Sequence, residues 1–259
     1  MPGSPQLSTH AFTAPDGVDL AWHEMGEGRP LVLIHGFISS AQVNWVRYGH
    51  AALLADAGFR VIMPDLRAHG MSARPHDAAA YPPDALADDG MALLAHLGLD
   101  GADYDLGGYS LGGRTTARML VKGTRPRRAI IAGMGLQGLI DPAGRSAYFR
   151  RVLTQRGSFA RGSSEWMAEA FLKTTGADPL ALLHILDTFV ATPVEALKAI
   201  DIPVLIPTGI EDDDNGSAKE LAATLKHGRY VPLPGNHMGA VTRPELGQAI
   251  LDFLKASIS

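Results

Sequence analysis

The segment Gly108-Tyr109-Ser110-Leu111-Gly112 places a hydroxyl between two glycines where a predicted strand passes into a predicted helix. Such a sharp turn needs both glycines, because a Cβ at either position would collide with the neighbouring strand or helix. The amide of Leu111 stays free at the helix N-terminus, where it can stabilise a developing oxyanion. The pattern predicts Ser110 as a nucleophile for acyl transfer, with an ordinary glycine-rich turn as the alternative.

Strand and helix patterns alternate around this turn. Short apolar runs predict strands at residues 31–34, 60–63, 104–109, 128–131, 204–208 and 229–233, and helical spacing predicts helices at 46–57, 85–97 and 111–122. This alternation is typical of an α/β fold with a mostly parallel sheet and helices on both faces. Residues 9–13 and 18–25 flank a turn signal and predict an antiparallel hairpin.

One stretch of the chain breaks the alternation. Between Asp141 and Ala199 only helical patterns occur, at about 144–156, 163–174 and 179–190. We therefore expect an all-helical cap over the sheet edge, inserted between about residues 139 and 200, with residues 1–138 and 201–259 forming the core. Two capping boxes, Ser217 to Glu220 and Thr242 to Glu245, predict the starts of the last two helices, the final one ending near Ala256.

Three segments together resemble the α/β-hydrolase family: the turn around Ser110, the triplet His35-Gly36-Phe37, and residues 64–72. The last of these is similar to the family pattern D-x-R-G-H-G-x-S, with Ala68 in place of a glycine. The resemblance implies the α/β-hydrolase fold, a helical cap and a second oxyanion donor in the amide of Phe37. It also implies a Ser–His–acid triad in the chain order nucleophile, acid, histidine.

Ten histidines compete for the role of general base. In a parallel sheet the carboxyl ends of the strands meet at one edge, where Ser110 is already placed. His237 follows the last predicted strand at that edge, whereas His227 precedes the same strand and belongs to the opposite side. In the resembled family, His35 and His69 shape their loops. We predict His237 as the base.

Four carboxylates follow the predicted strand at 204–208, namely Glu211, Asp212, Asp213 and Asp214. Like charges in a low-dielectric site raise one another's pKa, so one carboxylate should turn inward and the others outward. The family pattern Gly-x-x-Asp matches Gly209 to Asp212. Asp212 is therefore the predicted acid, with Asp213 and Asp214 left open.

Composition excludes several classes of function. The 259 residues are 46% hydrophobic and carry 23 Lys and Arg against 27 Asp and Glu, a net charge of −4, without basic blocks. This balance offers no footprint for nucleic acid or an anionic membrane. There is no cysteine, which excludes disulfides and thiolate sites. Met1 to Pro15 lacks the pattern of a signal peptide, and no apolar run reaches the roughly 20 residues of a spanning helix. We expect a soluble, cytoplasmic protein.

No cofactor or metal is predicted. Residues 133–138 match G-x-G-x-x-G, but a dinucleotide site also needs a helix opening at that loop and an acidic residue after the next strand. Helical patterns follow instead, so we interpret the glycines as a linker into the cap. His and carboxylate residues show no convincing metal-ligand spacing.

These residues predict a serine hydrolase that cleaves carboxylic esters of small or medium apolar substrates through an acyl-enzyme, as a monomer or homodimer. Trp45, Leu186 and Phe189 could form apolar walls for the substrate, although core packing explains them too. The same triad could open lactones, cleave thioesters or hydrolyse carbon–carbon bonds. Epoxide and haloalkane hydrolysis are disfavoured, because those relatives need a carboxylate where Ser110 stands. A non-catalytic small-molecule receptor of the same fold is the alternative from another class.

Overall fold

An eight-stranded sheet forms the centre of the protein, whose computed structural model describes residues 6–257. The strands are β1 (Ser8–Thr13), β2 (Asp19–Met25), β3 (Arg29–Ile34), β4 (Phe59–Pro64), β5 (Asp105–Tyr109), β6 (Ala129–Ala132), β7 (Val204–Gly209) and β8 (Gly228–Leu233). Their order is β1-β2-β4-β3-β5-β6-β7-β8. The pairs β1–β2 and β2–β4 are antiparallel, and the other five neighbouring pairs are parallel. The predicted α/β class and its leading hairpin are confirmed.

Eleven α-helices connect or cover these strands within the described residues. They are α1 (His50–Asp56), α2 (Ala85–His96), α3 (Leu111–Val121), α4 (Leu136–Ile140), α5 (Ala143–Thr154), α6 (Ser164–Thr175), α7 (Pro179–Asp187), α8 (Val194–Lys198), α9 (Ala218–Thr224), α10 (His237–Ala240) and α11 (Pro244–Lys255). Short 3-10 turns and a π-helical segment, Gln42–Val46, complete the structure.

The apolar runs of the strands are continuous because helices cover both faces of the sheet. Side chains alternate across a strand, so Leu31 and Leu33 of β3 pack with α1 and α11. Val32 and Ile34 point to the other face and pack with α2 and α3. The central strands are thereby buried on both sides, which holds their carboxyl ends in fixed positions.

Every helix between β6 and β7 belongs to one helical insertion, defined here as residues 133–203. The two short helices at its ends, α4 and α8, pack with α3 and α9 around Leu120 and Leu221. The longer helices α5, α6 and α7 contribute Leu153, Leu172 and Leu182 to the apolar cluster on the α2 and α3 side of the sheet. The sequence predicted the three long helices but not α4 or α8.

Two local predictions were wrong. The helix expected over 46–57 is broken, because Gly49 adopts the left-handed conformation (φ 81°) between the π-helical segment and α1. The capping box at Thr242 does not form. Arg243 is the N-cap of α11, and the Thr242 hydroxyl instead donates to the carbonyl of Gly239 at 2.8 Å. The predicted helix start at Ser217 is confirmed, since its hydroxyl caps α9 by accepting from the amide of Glu220 at 3.1 Å.

Within residues 6–257, none of the helices combines the length and the apolar character that crossing a bilayer requires.

Candidate active site

Ser110 lies on a strained turn between β5 and α3. Its backbone has φ 55° and ψ −112°, outside the usual regions for a residue with a Cβ. The flanking glycines allow this geometry: a Cβ on Gly108 would lie 2.3 Å from the Gly112 carbonyl carbon, and one on Gly112 only 2.0 Å from the Ile34 oxygen. Strain of this kind persists only where the surrounding structure holds it, and it concentrates at functional sites.

His237 reaches Ser110 from the end of β8. Asn236 caps the short helix α10 by accepting from the Gly239 amide, which fixes His237 as the first residue of that helix. Nε2 of His237 lies 2.9 Å from Oγ of Ser110. The Tyr109 hydroxyl donates to the His237 carbonyl at 2.6 Å. Burial, with Asp212 and Asp214 nearby, holds the pKa of Tyr109 well above its usual value, so this phenol keeps its proton.

Asp212 completes the chain of hydrogen bonds from the loop after β7. Its Oδ2 lies 2.8 Å from Nδ1 of His237, and the two side chains are only 2% and 8% exposed. With Nδ1–H donating to the carboxylate, Nε2 carries a lone pair and can accept the proton of Ser110. The structure therefore brings together the three residues predicted from sequence.

Of the four carboxylates in this loop, only Asp212 hydrogen-bonds the imidazole within the described residues. Oδ2 of Asp214 pairs with Arg145 of the helical insertion at 2.6 Å, and Glu211 and Asp213 are exposed. Possible ligand atoms of Asp212, Asp214 and His237 lie within 4.8 Å of one another. Asp212 and His237 hold each other, and Asp214 holds Arg145, so these side chains already have partners. The expectation of no metal stays a prediction.

The loop after β3 lies against the nucleophile. A Cβ built on Gly36 would be 3.6 Å from the Cβ of Ser110, and the Gly36 amide donates to Oδ1 of Asn44 at 3.0 Å. Within residues 6–257 the amides of Phe37 and Leu111 donate no hydrogen bond. Two free amides beside a serine hydroxyl are what a developing oxyanion requires.

A family profile described as the alpha/beta hydrolase fold matches residues 29–182, which is more than half of the chain. The chain belongs to the α/β-hydrolase family. It is 29% identical to a non-heme haloperoxidase from Rhodococcus erythropolis, over 89% of this chain and 93% of the relative. It is 30% identical to a non-heme chloroperoxidase from Kitasatospora aureofaciens, over 78% and 80%. A thermophilic esterase from Thermogutta terrifontis superposes with a TM-score of 0.75 at 26% identity, covering 96% of this chain and 98% of that one.

The position where this α/β-hydrolase departs from the family pattern is strained. Ala68 replaces the pattern's glycine and adopts φ 67°, a conformation that glycine reaches without steric cost. The turn still forms because Asp65 holds it: Oδ2 accepts from the Met71 amide at 2.8 Å, and Oδ1 accepts from the Ala41 amide at 2.8 Å.

Two buried histidines connect this turn with the loop after β3 (residues 35–41), called the oxyanion loop below. Nδ1 of His69 donates to the Arg67 carbonyl at 2.9 Å, and its Nε2 accepts from the Ile38 amide at 3.2 Å. His35 is held likewise, donating to the Gly36 carbonyl and accepting from the Leu66 amide. A ring nitrogen that accepts an amide proton carries none of its own, so both rings are neutral. As predicted, these histidines shape their loops.

The stability of this arrangement should decrease in acid. Burial, followed by the repulsion that arises when His35 is also protonated, lowers the pKa of His69 to about 3 from its usual 6.5. Below pH 6.5 His69 therefore binds a proton in the unfolded chain but stays neutral in the folded chain. The free energy of unfolding consequently decreases as the pH falls below 6.5. Between pH 7 and pH 5 this costs about 2 kcal/mol.

Urea unfolding of the wild type and of His69→Gln at both pH values tests this expectation. The free energy of unfolding of the wild type should fall by about 2 kcal/mol more than that of the variant. The comparison cancels the titration of other buried groups, such as Asp89 and Asp105, since both proteins contain them. Equal losses in the two proteins would contradict the expectation.

The three predicted substrate contacts have different locations. Trp45 is fully buried beside Leu31 and Leu54, on the sheet face covered by α1 and α11. This burial fits the core-packing alternative that the sequence left open for Trp45. Leu186 lies in the same cluster as Phe37 and Leu111, with Phe189 packed against it. Their contact with substrate stays a prediction.

Two further residues near the site were missed. Asn44, eight positions after Gly36, anchors the oxyanion loop through its side-chain oxygen. Phe149 of α5 stacks edge-on against the Phe37 ring, with centroids 4.7 Å apart. A polar residue beside Trp45 was the only signal for Asn44, and no sequence signal distinguishes Phe149 from the other apolar residues of its helix.

The glycine-rich segment 133–138 has a packing role. A Cβ on Gly135 would lie 2.1 Å from the Gly216 carbonyl oxygen, and the Asn215 side chain donates to the Gly133 carbonyl at 3.0 Å. The glycines therefore let the start of the helical insertion approach the loop between β7 and α9 closely.

Proposed function

We propose that this α/β-hydrolase is a serine esterase that cleaves carboxylic esters through an acyl-enzyme. The observation that carries the proposal is the continuous chain from Ser110 Oγ through His237 to Asp212, with hydrogen bonds of 2.9 and 2.8 Å. The free amides beside Ser110 and the similarity to a thermophilic esterase support it.

The geometry suggests a two-step reaction. Ser110 Oγ attacks the ester carbon while Nε2 of His237 takes its proton, and Asp212 stabilises the imidazolium. The electron pair of the C=O bond moves to the oxygen, which the amides of Phe37 and Leu111 hydrogen-bond. When the oxyanion collapses, the C–O bond of the ester breaks and the alcohol leaves with the proton of His237. Water, deprotonated by His237, then releases the acid and restores Ser110.

The surroundings of Ser110 favour small or medium apolar substrates. Phe37, Phe149 and Leu186 belong to one apolar cluster on this side of the sheet. Lactones, thioesters and activated carbon–carbon bonds would engage the same three residues, so the kind of bond has to be found by comparing these substrate classes at equal chain length.

Labelling with a fluorophosphonate tests the nucleophile. We expect one phosphonyl group per chain, mapped by peptide mass spectrometry to Ser110, and no labelling of Ser110→Ala. Only a serine activated by its neighbours displaces fluoride quickly. Modification elsewhere, or none in the folded protein, would contradict the proposal. Saturable binding of small esters without turnover, unchanged in Ser110→Ala, would instead favour the receptor alternative.

The two non-heme haloperoxidase relatives suggest a second candidate function. If hydrogen peroxide replaces water at the acyl-enzyme, the released product is a percarboxylic acid, which oxidises bromide. Bromination of monochlorodimedone that requires acetate, peroxide, bromide and Ser110 would support this activity. Ester hydrolysis without such bromination would support the esterase activity and reject the haloperoxidase activity.

A further inference from the structure

Arg114 is a buried cation that has no anionic partner among the residues the structure describes. Its side chain is almost fully enclosed, with 5% of the residue exposed, and within residues 6–257 no carboxylate lies within ion-pair distance of it. One guanidinium nitrogen, Nη2, donates to the Gly138 carbonyl. The other nitrogen, Nη1, is buried and donates no hydrogen bond to any residue from 6 to 257. A charged donor that stays unsatisfied in the interior lowers the stability of the folded protein, so an unpaired Arg114 indicates a role other than stabilising the fold.

The position of Arg114 relates this cation to the nucleophile. Arg114 lies one helical turn after Ser110, and its amide donates to the Ser110 carbonyl at 2.9 Å. Side chains on a helix lean toward its N-terminus, here toward the active site. The guanidinium carbon lies 4.9 Å from the centre of the Phe189 ring, which belongs to the helical insertion.

A small cavity lies beside Arg114. Arg114, Leu111, Phe189, Asp84 and Arg118 contribute to its wall, and its volume is about 20 Å³. That is room for one or two water molecules, and so for the two oxygens of a carboxylate. Leu111, whose free amide is the proposed oxyanion donor, also lines this cavity, so the cavity lies next to the residue that follows Ser110.

The charges around the cavity do not cancel. Arg118 binds both oxygens of Asp84, at 2.8 and 2.6 Å, so that pair is neutral. Arg114 is left as the excess positive charge. Burial and the nearby Arg118 lower its pKa to about 10, and the guanidinium therefore stays charged at neutral pH. An anion entering the cavity would meet a desolvated donor, the setting in which charge-assisted hydrogen bonds are strongest.

We propose that Arg114 binds a carboxylate carried by the substrate, so that the preferred substrates are half-esters of short dicarboxylic acids. This rests on the proposed esterase function and adds a charged end to its otherwise apolar substrates. Apolar side chains around Ser110 then contact the carbon chain, while the guanidinium of Arg114 recognises its charged end. Selectivity arises because a neutral ester leaves this buried donor unpaired, whereas a half-ester satisfies it.

Matched pairs of 4-nitrophenyl esters test the proposal. The half-esters of succinic, glutaric and adipic acids are compared with neutral esters of equal chain length, after subtraction of spontaneous hydrolysis. For at least one pair, kcat/KM should favour the half-ester by about tenfold or more. In Arg114→Met this preference should disappear, a fall of about tenfold or more, because the half-ester then loses its buried charge partner. Arg114→Lys, which keeps the charge, should retain part of it.

Arg127→Gln is the matched control, because it removes the same formal charge from an exposed position and should leave the preference within about twofold. If Arg114→Met slows both members of each pair equally, Arg114 only fastens the helical insertion to α3, and the proposal is overturned. A wild type that prefers no half-ester would overturn it as well.

A binding measurement separates this proposal from the esterase assignment. Glutarate should raise the melting temperature of the catalytically silent Ser110→Ala protein and leave that of Ser110→Ala with Arg114→Met unchanged. Stabilisation without turnover of any ester in the wild type would retain the anion site but reject the esterase. Turnover of neutral esters with no effect of glutarate would reject the anion site alone.

Discussion

Replacing Ser110 by alanine is expected to lower kcat for ester hydrolysis by about 10⁵-fold or more, since no acyl-enzyme can form. The remaining rate comes from water attacking a bound ester beside the free amides of Phe37 and Leu111. The measurement is the initial rate of 4-nitrophenol release from 4-nitrophenyl butyrate, with the spontaneous rate subtracted.

Folding has to be controlled in this experiment, because Ser110 lies on a strained turn. Alanine has a Cβ like serine and so tolerates φ 55° no worse, and the melting temperature should change little. Ser158→Ala, at an exposed position in the helical insertion, controls for the loss of a serine hydroxyl. If Ser110→Ala kept even one hundredth of the wild-type rate, another nucleophile would have to be sought.

Asp212→Asn should lower kcat by about 10⁴-fold. The asparagine amide can present its NH₂ to Nδ1 of His237, which then becomes an acceptor, and the proton moves to Nε2. An imidazole in that tautomer has no lone pair facing Ser110 Oγ and cannot take its proton. The measurement is kcat for the same ester, with KM determined separately, because substrate binding should change little.

Asp214→Asn is the matched control, two residues away on the same loop. It removes the ion pair with Arg145 but leaves the 2.8 Å contact between Asp212 and His237 in place. We expect a loss of less than about fivefold, in line with the small energy of exposed ion pairs. A larger loss in Asp214→Asn than in Asp212→Asn would transfer the acid role to Asp214.

Local sequence signals predicted much of the fold. Strands buried on both faces must be apolar throughout, so β3, β4, β6 and β7 were found within one or two residues. The need for glycines around Ser110 was predicted from sterics alone, and the structure bears this out in the close approach of Gly112 to the Ile34 oxygen. The errors arose where alternatives differ little in energy, as at the cap of α11 and the break at Gly49.

The amino-acid sequence was sufficient to predict which side chains could meet at the carboxyl edge of the sheet. A serine after one strand, an acidic loop after another and a histidine after the last must come together once those strands are parallel, although 127 positions separate Ser110 from His237. Strand direction is encoded locally, by apolar runs and by the helices between them, and the meeting of the residues follows from it.

The partners of individual side chains, in contrast, emerged only from the folded chain. In the folded chain Asp212 hydrogen-bonds His237, and Asp214 pairs with Arg145. Trp45 lies in the core, and one guanidinium nitrogen of Arg114 has no partner among the described residues. Each outcome depends on atoms brought together from distant parts of the chain. Hydrogen bonds and ion pairs act over a few ångströms, so local composition cannot reveal which partners will come within that range.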